Sequence, residues 1–218
     1  MGLSNPPESD KDKILWNGKL ISVQPRIRLT RSFDQRSHAY SGYTLMVEGS
    51  VAGGERTFMV GIGKEAQAKH QLRAGDVVSG KSEEVRDPRN EVSEYYKTSG
   101  LRVVGKGTEQ GGSGPPWQGI PPALKVYRER GHRRLDPRTY EVKCKTCIWG
   151  CRMPVEMIID KWNPKKKKYR FETFCYGPKS CEFYKAGPTR KVPGRKGMTW
   201  EEEDWVDEDA ISHRGMDE

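Results

Sequence analysis

All five cysteines of this 218-residue chain fall between positions 144 and 181. They are Cys144, Cys147, Cys151, Cys175 and Cys181: a C-x2-C-x3-C run, 23 intervening residues, then a C-x5-C run. Between the runs, residues 153–160 (MPVEMIID) and 169–174 (YRFETF) read as strands, and Asn163, Pro164 and the lysines at 165–168 make a polar turn. A β-hairpin there brings the two cysteine turns together. A segment of about 45 residues is too small to bury a self-sufficient core, so disulfides, a metal ion or a cluster must hold it.

No apolar run near the start serves as a secretory signal, and an odd number of cysteines does not close a disulfide framework. The expectation is a cytoplasmic protein whose clustered thiols bind metal. Zinc takes four tetrahedral ligands, most simply Cys144 and Cys147 with Cys175 and Cys181, which leaves Cys151 spare. Cys151 is also the alternative ligand: a first run of three cysteines is what a 4Fe-4S cluster uses, so that cofactor stays open beside zinc, as do redox thiols. The paired cysteine turns around a hairpin resemble a zinc ribbon. They depart from it in the second pair, where five residues stand in place of the usual two.

Charge is strongly segregated. Residues 1–114 carry 17 Lys and Arg against 14 Asp and Glu, residues 115–198 carry 21 against 7, and residues 199–218 carry 1 against 9. A section of net charge +14 followed by a tail of −8 points to a polyanionic partner, nucleic acid, and to an internal competitor for it or a contact for a protein partner. No stretch approaches 18 apolar residues, so no membrane span is expected. Nothing in the pattern sets the oligomeric state.

In chain order, residues 1–12 are polar and expected to be disordered. From Leu20 to Thr30, Ile21, Val23, Ile27 and Leu29 alternate with polar residues, bent at Pro25; Tyr40 to Val51 and Arg56 to Ile62 follow as strands two and three around the turn at 52–55. Lys64 to Leu72 reads as a short helix, Val77 to about Val85 as strand four, and Glu94 to Val104 as strand five. Three strands, a helix and two strands resemble the OB-fold, a five-stranded Greek-key barrel, over residues 13–105. The fold class is therefore mainly β, an OB-like barrel plus a small metal-clasped hairpin module. The resemblance implies oligonucleotide binding across strands two and three and the loops joining strands one to two and four to five. On this chain that surface comprises Arg26, Arg28, Thr44, Met46 and Arg56, with Arg31, Phe33, Arg36 and His38 from one loop and Arg86, Arg89, Tyr95 and Tyr96 from the other. Cations for phosphates and rings for bases are what a single-strand groove requires.

Residues 106–122 read as a Gly/Pro linker and 123–198 as the basic cysteine module, opened by a short basic helix from Ala123 to Leu135 that is interrupted near Gly131. Lys165, Lys166, Lys167, Lys168 and Arg170 at the hairpin tip are placed to reach a phosphate. In the tail, 199–218, Thr199 and Glu202 fit a capping box for an acidic helix from Trp200 to about Ala210. Gly61-Ile62-Gly63-Lys64 lacks the length and the Ser or Thr of a phosphate loop. With no G-x-S-x-G turn and no H-E-x-x-H, the chain reads as a non-catalytic binder of single-stranded or structured DNA or RNA with a structural metal. An iron-sulfur redox or sensor protein and a zinc-stabilised protein-interaction adaptor are the alternatives.

Overall fold

The computed structural model describes residues 13–32, 34–108, 114–202 and 204–216. The N-terminal segment 1–12, Phe33, linker residues 109–113 and tail residues 203, 217 and 218 lie outside the described residues, and with them the expectations placed there. Strand β1 (Ile14–Arg31) is the spine. It pairs antiparallel with β2 (Arg36–Val51) from Trp16↔Val51 to Arg31↔Arg36, and with β4 (Val77–Glu84) from Ile14↔Ser82 to Lys19↔Val77. Register shifts at Leu20/Ser22 and Arg26/Ile27 bend it, as bulges do, so one strand can serve several neighbours.

β3 (Gly54–Ile62) returns along β2 after a turn in which Ala52 and Gly53 both take positive φ, 53° and 82°, the hand that matches strand twist. Helix α1 (Lys64–His70) leads to β4, and β5 (Tyr95–Gly105) pairs with β4 and, in parallel at Val60↔Tyr95, with β3. The pairings therefore run β1-β2-β3-β5-β4 and back to β1, a closed ring of five strands. Alternate side chains fill it: Leu20, Val23, Ile27, Leu45, Val47, Phe58, Val60, Ile62 and Val78 are buried, with Leu72 added from beyond α1.

Beyond the linker come α2 (Leu124–Arg130), β6 (Arg133–Arg134), α3 (Pro137–Thr139) running into a wide turn at Tyr140–Cys144, the hairpin β7 (Gly150–Ile158) and β8 (Lys167–Cys175), then β9 (Arg190–Pro193), β10 (Thr199–Glu202) and α4 (Trp205–Ala210). β7 pairs in parallel with the end of β1, from Leu29↔Val155 to Arg31↔Met157. One mixed eight-stranded sheet results, in the order β2-β3-β5-β4-β1-β7-β8-β6. Cys151, Met153, Val155, Phe174 and Tyr176 pack in the same buried cluster as the ring residues. The two sides of the linker thus share one sheet and one core.

Two local expectations are corrected. The basic helix expected over Ala123 to Leu135 breaks at Gly131 as the sequence suggests, α2 ending at Arg130 where Gly131 takes φ 66°, but it does not resume: Arg133 and Arg134 go to the edge of β8. Thr199 and Glu202 do not cap a helix. They lie in β10, paired with β9 from Thr199↔Pro193 to Glu202↔Arg190, and the helix starts at Trp205. Glu202 is held there by Arg31 and Arg36, a tertiary contact that outweighs a weak local signal.

Candidate functional site

The cysteines divide into four and one. Turns closed by Cys147 N–H to the Cys144 carbonyl (3.0 Å) and Gly150 N–H to the Cys147 carbonyl (3.1 Å) set the first pair at the start of β7. Cys175 ends β8 opposite Gly150, and Cys181 follows in the next turn. Burial, then neighbouring Cys175, Cys147 and Cys181, pushes the Cys144 thiol up to about 12. Cys147 is pushed up to about 11 by burial, against N–H groups of Trp149, Trp117 and Gly150 that favour its thiolate. Cys175 Sγ accepts the Gly177 N–H at 3.3 Å. Cys151 is fully buried elsewhere and donates its S–H to the Pro25 carbonyl at 3.4 Å. All five are free thiols, and among the described residues no group of three or more His, Cys, Asp and Glu stands arranged to hold a metal.

The outer face of β2 and β3 is covered at Thr44 and Met46, while Glu48 and Thr57, paired further along the same face, stay exposed. Thr44 and Met46 are 3% and 4% exposed, because the loop from 85 to 94 folds over them. Thr44 Oγ1 meets Ser93 Oγ at 3.2 Å, Glu94 N–H donates to Met59 O at 2.9 Å, and Met59 N–H donates to Glu94 Oε1 at 3.0 Å. Alongside, Gln24 receives the Tyr140 hydroxyl and donates to the Cys144 and Cys147 carbonyls, tying the cysteine turn to β1. Arg26 pairs with Glu91, and Arg56 pairs with Glu94 at 2.7 Å while stacking on Phe58 and Tyr95. Tyr95 is a core residue whose hydroxyl accepts from Arg56, and half-buried Tyr96 lies under Lys97. Arg31 is buried; Arg36 remains partly open.

A different face is open, and the β1–β7 pairing creates it. Cross-strand pairing puts Glu156 beside Thr30 and Tyr169, and Pro154 beside Phe171. Arg28 is exposed next to this row, close enough to bear on Lys167, which donates to Glu156 at 2.7 Å. Arg89, forked onto Asp87 at 2.9 Å through both Nε and Nη2, reaches over the Tyr169 ring at 4.7 Å. Arg152 lies 4.5 Å over the Phe171 ring, itself 37% exposed. Arg86 is exposed in the same loop as Arg89. At the hairpin tip Lys165, Lys166 and Lys168 are exposed with Trp162, which is 78% open.

Arg28, Arg89 and Lys167, named from distant stretches of sequence, thus come to one side, whereas Lys168 alternates onto the face of β8 that carries Arg170. Arg152, Trp162, Tyr169 and Phe171 were missed. Ring and charge at two-residue spacing in 167–171, and a tryptophan in an otherwise polar turn, are signals that could have found three of them. Arg152 required the register.

The opposite side of the hairpin is a buried charge network. Glu172 faces Arg31 (3.5 Å), Arg170 (2.6 Å) and Arg190 (2.7 Å), so Arg170 is turned away from the open face. Glu202 joins Arg31 and Arg36 at 3.1 and 3.2 Å, and buried Arg134 holds Asp207 (2.7 Å) and Asp204. Beside this network, His38 meets His132 edge-on at 4.9 Å. Burial first, then Arg36 and Arg31, pulls His38 down to about 4; burial and the same positive surroundings hold His132 well below its ordinary value. Among the described residues no helix is long and apolar enough to cross a membrane. No family model, no curated protein and no solved structure matches this chain.

Proposed function

We propose that this protein binds single-stranded or structured nucleic acid without catalysing a reaction, through an OB-like barrel whose β1 is extended by the cysteine hairpin. The observation that carries the reading is the open face of β1, β7 and β8, where Arg28, Arg89, Arg152 and Lys167 stand among the rings of Tyr169 and Phe171. Cations supply phosphate contacts and stacked rings supply sequence-tolerant base contacts. The interface lies beside the strand-two and strand-three surface that such barrels commonly use, because the loop at 85–94 occupies that surface here. Anisotropy titration of a labelled single-stranded oligonucleotide tests it. Tyr169→Ala and Phe171→Ala should each weaken binding by about 1–3 kcal/mol, roughly 5- to 150-fold. Arg28→Gln should lower the slope of log affinity against log salt by about 0.7. Absence of binding, or variants that bind like wild type, would overturn the reading.

The same proposal assigns Cys144, Cys147, Cys175 and Cys181 to structural zinc, with Cys151 outside the set. Burial makes the thiols of Cys144, Cys147 and Cys175 resist ionising, and a bound cation would relieve that while the N–H groups at Cys147 and Cys175 favour thiolates. Metal analysis and a visible spectrum of protein purified without oxygen decide the point. Colourless protein with zinc, lost in Cys144→Ser and retained in Cys151→Ala, is expected; a brown iron-containing protein would instead favour a cluster.

A further inference from the structure

At the tip of the β7–β8 hairpin stands a side chain that the fold does not use. Trp162 is 78% exposed, more than any other large apolar side chain among the described residues. The turn beneath it closes without the indole. Asp160 Oδ1 accepts the Trp162 backbone N–H at 3.0 Å, and the Asp160 carbonyl accepts the Asn163 N–H at 3.0 Å. The Asn163 carbonyl accepts the Lys166 N–H at 2.9 Å, and the Lys166 carbonyl accepts the Ile159 N–H at 3.2 Å. Arg195 meets Asp160 Oδ2 at 3.6 Å and ties the turn to the chain beyond β9. The backbone of the tip is therefore set, and the ring stands in solvent. Lys165 and Lys166 are exposed in the same turn, and among the described residues neither forms an ion pair.

Below the tip the paired strands begin at Ile158↔Lys167, and alternation along β8 puts Lys167, Tyr169 and Phe171 on one face, spanning about 13 Å at ordinary strand rise. Rings on a sheet face stack on unpaired bases. Within a duplex the base faces are already stacked, and one becomes available only at the end of the helix or at an opened step. A lone ring on a narrow, fixed turn matches that second situation, since apolar side chains so placed act as wedges between base steps. The two lysines of the turn are placed to meet backbone phosphates. An anionic membrane surface also attracts an indole and cations, but residues 161–168 hold no second large apolar side chain, and membrane attachment scales with buried apolar area.

We infer that the ligand this protein prefers is a junction between single- and double-stranded nucleic acid, with the single strand on the hairpin face and Trp162 stacked on the terminal base pair. The inference rests on the proposed function and narrows its substrate class. It divides the hairpin between two tasks. Tyr169 and Phe171 hold unpaired bases, while Trp162, Lys165 and Lys166 meet the duplex where pairing starts. A strand that runs along β8 past Lys167 reaches the tip, so one nucleic acid engages both parts at once. A single strand alone uses only the first part, and a blunt duplex only the second.

The test compares, by anisotropy, an oligothymidylate of about 12 nucleotides, a blunt duplex of about 12 base pairs, and that duplex carrying the oligothymidylate as a 5′ or a 3′ tail, lengths within the usual site size of such barrels. The tailed duplex of at least one polarity should bind more tightly than either part. Trp162→Ala should weaken its binding roughly 5- to 150-fold, the range for one lost stack, and bring the ratio of tailed-duplex to single-strand affinity down toward one. Trp162→Phe, which keeps a ring, should keep most of that ratio, and Tyr169→Ala should weaken both ligands alike. Lys165→Gln with Lys166→Gln should lower the salt slope for the tailed duplex by up to about 1.8, two contacts at about 0.9 each on a duplex. Equal affinity for single strand and tailed duplex, or a preference that survives Trp162→Ala, overturns the junction and leaves the hairpin reading intact. Binding to phosphatidylserine vesicles that Trp162→Ala abolishes, with no preference for the tailed duplex, overturns it too. Wild-type protein that binds none of the DNAs overturns both.

Discussion

Arg134 is as buried as a core leucine, with 4% of its side chain exposed, yet it carries a full charge, and its two carboxylate partners differ sharply in setting. Asp207 is 16% exposed and also accepts the Arg134 backbone N–H, whereas Asp204 is 77% exposed. Removing a buried partner strands a charge; removing a solvated one costs little. Asp207→Ala should therefore destabilise by about 2–4 kcal/mol and Asp204→Ala by less than about 1 kcal/mol in denaturant unfolding. His132 makes a second residue-level prediction. It is neutral in the folded protein, while the unfolded chain takes up a proton as pH falls through the ordinary histidine value of 6.5. The stability it allows is present above that value and is lost as pH falls below it, with a slope of up to about 1.4 kcal/mol per pH unit. His132→Gln should flatten the acid side of the stability profile. A wild-type profile level between pH 6.5 and 4.5 would contradict this account.

Individual elements were legible where the local pattern agreed with the final packing. The hairpin was readable because two strand-like runs flank the polar turn at Asn163, Pro164 and the lysines, and the ring strands because each buries alternate residues such as Leu45, Val47, Phe58 and Val60. Reading failed where a distant contact decided. Thr199 and Glu202 carry a helix-start signal, but Glu202 is worth more between Arg31 and Arg36 than in a cap. Thr44 and Met46 have the alternation of an open outer face, and only the fold of loop 85–94 shows that they are covered. The acidic tail, a suspected competitor for nucleic acid, is thus also a structural strap. Truncation after Met198 should lower the unfolding midpoint, because it leaves Arg134 unpaired and deprives Arg31 of one of two partners. A truncated protein as stable as the full chain would refute the strap. Glu202→Gln, a milder change, separates competition from stability, since only competition predicts tighter oligonucleotide binding.

At the level of the whole molecule, the parallel pairing of β1 with β7 makes the organisation differ from two modules on a tether. Leu29 and Val155, registered partners from opposite sides of the linker, are both fully buried. Unfolding should therefore be a single cooperative transition, with coincident signals from the ring and the hairpin. The same pairing assembles the open face, and no local feature of the sequence announces it, because Arg28, Arg89, Arg152 and Tyr169 come from four separate stretches. The most direct test of the central claim is ultraviolet cross-linking of a single-stranded oligonucleotide to the full chain, with the adducts mapped by mass spectrometry. Adducts at Tyr169 and Phe171, suppressed by unlabelled competitor and by salt, are the predicted result. Specific adducts confined to the covered β2–β3 surface, or no specific adducts at all, would contradict it.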